Sequence, residues 1–325
     1  MKKRNWLRSL CAAAVVLVAW GGVHAQNYPS KPVRLIVPFP AGGATDLFAR
    51  TLSQKLSEKL GASLVVENRP GAGGTLGSDL AAKASPDGYT LLLGFDGTMV
   101  INPHVFPKVG FDTVKDFAPI GKIGDAILIL VSHPNVQAKT LQQVVSLSKT
   151  QSGGLSYGTS GTGGTPHLAG ELLRQRTGAN LVHIPYKGGG QALTDVLGGN
   201  IPLVYTAVAG AFPHVKSGKL HAVAVSSAQR APSLPDVPTF IEAGLNDFDI
   251  NSWVGLLAPA KTPRAIVERL NNELNAVLND PAVRERLNTL GITASPGGPE
   301  KFGRDMARDL SRYAAVVKAA NIKAE

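Results

Sequence analysis

The sequence predicts an α/β chain of two lobes, each a doubly wound sheet, joined by strands that cross between them. Three observations carry this. Short apolar runs rich in valine, isoleucine and leucine alternate with stretches of helical period, the pattern of parallel βαβ units. Several of these runs end in a glycine-rich turn that opens directly onto a helix. Two later apolar stretches, Phe117–Val131 and Ser252–Pro259, are read as the crossings out of the first lobe and back. The expected division is residues 26–124 and 252–325 for the first lobe and 125–251 for the second, after a signal at 1–25.

The signal opens with Lys2, Lys3, Arg4 and Arg8, continues with a ten-residue apolar core from Leu10 to Ala19, and ends at the small-residue site Val23-His24-Ala25. That order marks a cleaved export signal, and its core is too short to remain as a membrane span. Cys11 follows Arg8-Ser9-Leu10 rather than the small-residue box that lipid attachment needs, so the expected mature chain is soluble, periplasmic and starts at Gln26. Cleavage removes 25 of the 325 residues, the one cysteine and four basic side chains, so the formal charge falls from +10 to +6. A chain of that length without disulfides holds together through its core, and it suggests about two domains. The moderate positive excess helps attract small anions. It does not point to nucleic acid, because no basic run is interleaved with the 10 Phe, 6 Tyr and 3 Trp.

The first unit is VRLIVPFPAGGATDLFAR, Val33 to Arg50. Val33, Leu35, Ile36 and Val37 predict a buried strand, which Pro38 and Pro40 stop because proline has no N–H for a ladder. Gly42 and Gly43 form a bare turn, and Leu47, Phe48, Leu52, Leu56 and Leu60 then fall on one helical face that ends at Gly61. Such a turn aims N–H groups and the positive end of a helix dipole at one point, which suits an anion. Leu64 to Glu67 predicts a second strand, Asn68 to Gly74 a second bare turn before a small-residue helix through Leu80 and Ala84, and Tyr89 to Phe95 a third strand. Ligands of such sheets bind beyond the carboxyl ends of the strands, where these turns lie. Gly124-Asp125 separates the runs Phe117–Ile123 and Ala126–Val131 and is taken as the crossing.

The second lobe repeats the pattern. A helix is expected near Thr140–Ser148, a strand at Leu155–Tyr157, the turn Gly158–Gly164, and a helix from Thr165-Pro166 with a polar cap and proline at its start. Leu181–Pro185 reads as a strand before Lys187-Gly188-Gly189-Gly190 and a helix through Leu197, with further strands at Ile201–Ala207 and Leu220–Ser226. After the return crossing, Thr262-Pro263 and Asp280-Pro281 cap two helices, and a last helix from Pro299 carries Phe302, Met306, Leu310, Tyr313 and Val317 on one face, packed on the first lobe.

Motifs for catalysis and cofactors are incomplete. Glycines 71, 73 and 77 are one residue longer than the dinucleotide fingerprint, and no turn ends in Gly-Lys-Ser/Thr. Gly158-Thr159-Ser160-Gly161 lacks the second glycine of a nucleophile elbow, since Thr162 stands there. The histidines show no metal-binding spacing, and His167 with Glu171 reads as a helix-surface pair. No cofactor and no metal are therefore expected. Asp46 either complements its helix dipole or holds a ligand amine or water, and Asp195 allows the same two readings.

The segments PFPAGGATDLFAR, ENRPGAGG, PDGYTLL, YGTSGTGGTPHLAGEL, IPYKGGGQALTDVLGG and LPDVPTFIEAG, in this order, resemble the solute-binding receptors of tripartite tricarboxylate transporters, often called Bug proteins. The resemblance runs from Tyr28 to Ile322. It implies a type II-like periplasmic binding protein, with doubly wound mixed sheets, that closes on a small carboxylate and delivers it to membrane permease subunits. A di- or tricarboxylate, an acidic amino acid or an aromatic acid fits that role, and the receptor is expected as a monomer, not an enzyme. The ligand would be held by backbone amides, small hydroxyls and ordered waters. Contacts implied by the matching motifs are Phe39, Ala41, Gly43, Thr45 and Asp46, then Thr159, Ser160, Thr162, Gly163, Thr165 and His167, with Asp195 nearby.

One stretch departs from the family pattern. Phe95-Asp96-Gly97-Thr98 stands where small or hydroxyl residues are usual, which adds Asp96 and Thr98 to the candidates. A second acid beside Asp46 disfavours a tricarboxylate and favours a ligand with an amine or a neutral end. Two other readings stay open. Ser160 with His167 would be the nucleophile and base of an exported carboxylate-ester hydrolase, and a receptor reporting to a sensor protein needs the same closing lobes.

Overall fold

The computed structural model describes residues 28–320 and 322, apart from Gly43, Asp249 and Asn251. The expected signal, Cys11, the start at Gln26 and the candidate Gly43 lie outside the described residues.

Two mixed sheets form the frame. In the first, β1 (Val33–Val37) is paired in parallel with β2 (Leu64–Asn68) on one side and β3 (Thr90–Phe95) on the other. Next to β3 runs β10 (Ser252–Pro259), antiparallel to it, then β4 (Phe117–Ala126) and the short edge strand β11 (Ile292–Ala294). The second sheet has the order β7-β6-β8-β5-β9, with β5 at Leu128–Ser132, β6 at Leu155–Thr159, β7 at Leu181–Pro185, β8 at Leu203–Ala207 and β9 at His221–Val225. The apolar runs of β1, β3 and β10 are buried because helices cover both faces, which is why they read as continuous rather than alternating.

Helix α1 (Ala44–Leu60) packs Phe48, Leu52, Leu56 and Leu60 into the core, and Gly61 ends it with φ +69°. Leu47 is 45% exposed and belongs to the other face, a correction to the predicted stripe. Helix α2 (Thr75–Ala82) follows β2. After β3 the chain makes a π-helical turn, Gly97–Ile101, and one helical turn, Asn102–Val105, neither of them read from the sequence.

In the second sheet, α3 (Leu141–Thr150) starts with a capping box of Thr140 and Gln143. Helix α4 (Thr165–Thr177) begins differently from expectation: Gly164 is its N-cap and the Thr165 hydroxyl is engaged elsewhere. Helix α5 (Gly189–Leu197) follows β7, and α6 (Val208–Lys216) follows β8 without a break. After β10 come α7 (Arg264–Asn279), α8 (Pro281–Thr289), capped by the Asp280 carboxylate, and α9 (Pro299–Ala320). Thr262 does not cap α7; its hydroxyl donates to the Pro259 carbonyl.

Helices α1, α7 and α8 cover one face of the first sheet. The other face carries α9 and the segment Gly97–Val105, whose cluster also takes Leu168 from α4. That leucine ties a helix of the second sheet to the first. Gly124-Asp125 does not interrupt the chain, because both lie inside β4, opposite Val254 and Trp253 of β10. A side chain at 124 would run into the Thr293 carbonyl of β11, so glycine is what lets the edge strand approach. The passage between sheets falls at Ile127, whose N–H donates to the Gly291 carbonyl and whose carbonyl accepts from Val208.

Candidate functional site

A cavity of about 720 Å³ opens between the two sheets. Its walls come from the carboxyl ends of the parallel strands: the turns after β1, β3, β6 and β7 and the end of β8, with the start of β10. This is where open α/β sheets bind ligands, since helix N-termini and uncovered N–H groups collect there.

From the turn after β1, Phe39, Ala41 and Thr45 line the cavity. Phe39 stands edge-on to Phe95, with ring centres 5.3 Å apart. Asp46 does not line it. Its carboxylate accepts from Gly42 N at 3.0 Å, Arg50 Nε at 2.9 Å and Asn68 Nδ2 at 3.1 Å, and Asn68 also donates to the Phe39 carbonyl. Burial alone would raise its pKa, but these donors hold it below the usual carboxylate range. Asp46 therefore braces the turn from behind.

Asp96 and Thr98 both line the cavity. Asp96 is fully buried and accepts from the Thr165 hydroxyl at 2.8 Å and from the Ser252 hydroxyl. Burial pushes its pKa up to about 7 and Asp309 adds to that, against the pull of the two hydroxyls and of Gly97 N–H. Thr98 donates to the Gly73 carbonyl at 2.8 Å.

The turn after β6 contributes Ser160, Thr162 and Thr165 to the lining. Thr159, Gly163 and His167 stand behind them. Gly163 N–H donates to His167 Nδ1 at 3.1 Å, and Thr159 shares a 2.7 Å hydrogen bond with His183 Nε2. The two imidazoles stack at 3.7 Å. Burial lowers His167 to about 4 and His183 to about 3, so both are neutral at physiological pH. His167 and Glu171 are not a helix-surface pair: both are buried, and Glu171 instead accepts from Tyr157 and Arg174. No hydrogen bond joins Ser160 to His167 among the described residues. Asp195 also lies outside the lining and accepts from the Tyr186 hydroxyl at 2.7 Å.

Sequence reasoning left out one wall. Gly188, Gly189, Gly190, Gln191 and Thr194 line the cavity from α5, joined by Thr206, His214 of α6 and Ser252. The signal for α5 was present, because Lys187-Gly188-Gly189-Gly190 is another strand–glycine–helix turn. The first turns or caps of α1, α4, α5 and α6 all line the cavity. Among the described lining residues none is Lys or Arg, Asp96 is the one carboxyl and His214 the one basic side chain. Among the described residues no group of acidic, histidine or cysteine side chains is placed to hold a metal, and no helix is long and apolar enough to cross a membrane.

Residues 48–322 match the family model of the tripartite tricarboxylate transporter family receptor. The chain belongs to that family. The receptor is 35% identical over 319 residues to protein BugT of Bordetella pertussis, covering 97% of this chain and 98% of that one. Among solved structures it is similar to the periplasmic binding protein BugD, at 34% identity and a TM-score of 0.86, covering 92% of this chain and all of that one. Rpa4515 of R. palustris, solved with adipate, gives 32% identity and a TM-score of 0.88 over 91% of this chain and 99% of that one. MatC of Rhodopseudomonas palustris, solved with bound malate, gives 32% and 0.84 over 89% of this chain and all of that one. The receptor is thus a periplasmic solute-binding protein of the Bug type, a family of receptors rather than enzymes.

Proposed function

We propose that the receptor captures a small carboxylate in the cavity between its sheets and hands it to permease subunits of a tripartite tricarboxylate-type transporter, as a soluble monomer freed from its signal after Ala25. In this reading, residues 26–124 with 252–325 and residues 125–251 act as two lobes. The observation that carries it is the set of four helix N-termini around a cavity with no Lys or Arg among its described lining residues. Partial positive charge from aligned peptide dipoles and N–H groups suits one carboxylate and releases it without breaking an ion pair. The adipate and malate held by two relatives support the ligand class.

Calorimetry with mono-, di- and tricarboxylates, amino acids and aromatic acids tests the reading. At least one carboxylate is expected to bind with one-to-one stoichiometry, while the matching amide or alcohol without that carboxylate does not. Equal binding of the uncharged amide would remove the anion site.

A further inference from the structure

The cavity wall around Asp96 has a polarity of its own. A hydroxyl carries one proton, and a hydroxyl that has donated it can only accept. Thr165 and Ser252 both line the cavity and both spend their protons on Asp96. Thr98, beside them in the lining, spends its proton on the Gly73 carbonyl. By contrast, the hydroxyls of Thr45, Ser160, Thr162 and Thr206 line the cavity and make no hydrogen bond among the described residues, so their protons are free for an anion. The lining thus holds hydroxyls of two kinds, some free to donate and some left only to accept.

We infer that Asp96 sets the ligand class: by taking the protons of Thr165 and Ser252 it leaves both hydroxyls only lone pairs to offer the cavity, which favours a carboxylate that also carries a hydrogen-bond donor, such as a hydroxy or amino acid, over one that ends in a second carboxylate. The inference rests on the carboxylate reading above. A second carboxylate against these hydroxyls meets lone pairs and a buried acid, with no Lys or Arg among the described lining residues to offset them. A hydroxyl or ammonium there finds acceptors already oriented. Asp96 is fully buried, so it acts through the two hydroxyls as a positioning residue. Asp309 on α9 is the other charged group acting on it, while His167, two residues after Thr165, is turned to His183.

The test is calorimetry on matched acids of four to six carbons, each with an ω-hydroxyl, an ω-ammonium, a second carboxylate or a plain methyl end. At about pH 8.5 the hydroxy or amino members are expected to bind at least about tenfold tighter than the dicarboxylates, since a buried acceptor left facing an acceptor costs that much or more. In Asp96→Asn an amide takes one acceptor away, a hydroxyl proton turns to the cavity, and the preference should level or reverse. Thr165→Val and Ser252→Ala keep Asp96 and should each lose the donor preference, which covers the case of an Asn variant that does not fold. As pH falls to about 6 and Asp96 takes up a proton, one hydroxyl proton is released and dicarboxylates should gain affinity in the native receptor but not in Asp96→Asn. Dicarboxylates binding the native receptor as tightly as the hydroxy acids, or Asp96→Asn weakening every member equally with no change in pH profile, would overturn the inference and leave the carboxylate reading standing. If no acid of any kind binds, the carboxylate reading itself falls, and this inference with it.

Discussion

His167 shows how a side chain can brace a glycine turn from outside the cavity lining. The glycine turn before α4 was legible, and so was a histidine just inside the helix. What the sequence hid was His183, on a neighbouring strand and packed ring to ring against it at 3.7 Å. The same holds for Asp46. Its pairing with Arg50 at i,i+4 is readable, but Asn68, which joins the carboxylate to the Phe39 carbonyl, arrives only through the β1–β2 pairing. Both histidines have pKa values below their ordinary one because burial disfavours the imidazolium. The unfolded chain then binds protons more readily than the folded one between about pH 6.5 and 3, so their contribution is full above that window and is lost as pH falls through it. Asp96, raised to about 7, works the other way: its proton favours the folded state, so it offsets part of the loss. The melting temperature is expected to drop between pH 6.5 and 4, more steeply in Asp96→Asn and less steeply in His183→Asn. An Asp96→Asn profile that stays flat over this range, or a His183→Asn profile as steep as the native one, would mean that the fold does not hold the histidine pair neutral.

At the scale of elements, the strand–glycine–helix units read well because the period of the apolar residues changes at each glycine. The failures share a cause. Helix α6 follows β8 in one apolar stretch with Pro213 inside it, so no change of composition marks its start. The π-helical turn Gly97–Ile101 comes so soon after β3 that no separate helical period marks it, and its Met99, Val100 and Ile101 are buried in the cluster that α9 covers. The fold therefore stood out more clearly than the site, four of whose lining residues, Thr206, Gly210, His214 and Ser252, belong to elements read as plain strands or not read at all. If the turns hold the anion through their backbones, their shape should matter more than nearby charge. Gly163 has φ +83°, and a side chain there would press on Asn102 and Val105 at 2.9–3.1 Å. Gly163→Val should displace the turn and two of its donors, weakening binding about a hundredfold or more at about 1.5–3 kcal/mol for each donor to a charge. Lys187, exposed and outside the lining, should tolerate Ala with little change. Tight binding in folded Gly163→Val with loss in Lys187→Ala would put the anion on a side-chain cation instead.

For the whole molecule, the question is whether the sheets move. The chain passes between them at Ile127 and returns into β10 at Ser252, while Gly124-Asp125, the crossing suggested by sequence, is held in the ladder between β10 and β11. A pivot therefore belongs just past the end of β4 rather than within it, since a residue paired on both sides cannot change its backbone angles without breaking the sheet. Two contacts across the cavity would open with the sheets: the Thr165 hydroxyl on Asp96, and Leu168 in the cluster with Ile101 and Val105. Both are buried here, so separation exposes an acid and an apolar side chain at a cost that a bound ligand, touching both walls, would remove. The free receptor is accordingly expected to populate a wider form, and a saturating carboxylate to draw it to the compact arrangement described here. Small-angle scattering with and without a ligand that calorimetry shows to bind measures this directly. The radius of gyration should fall on binding, and the ligand-bound profile should fit the two sheets as they are placed here. A free protein that already fits them, with no change at saturation, would mean a preformed cavity entered by motion of its turns, and closure of the sheets would play no part in capture.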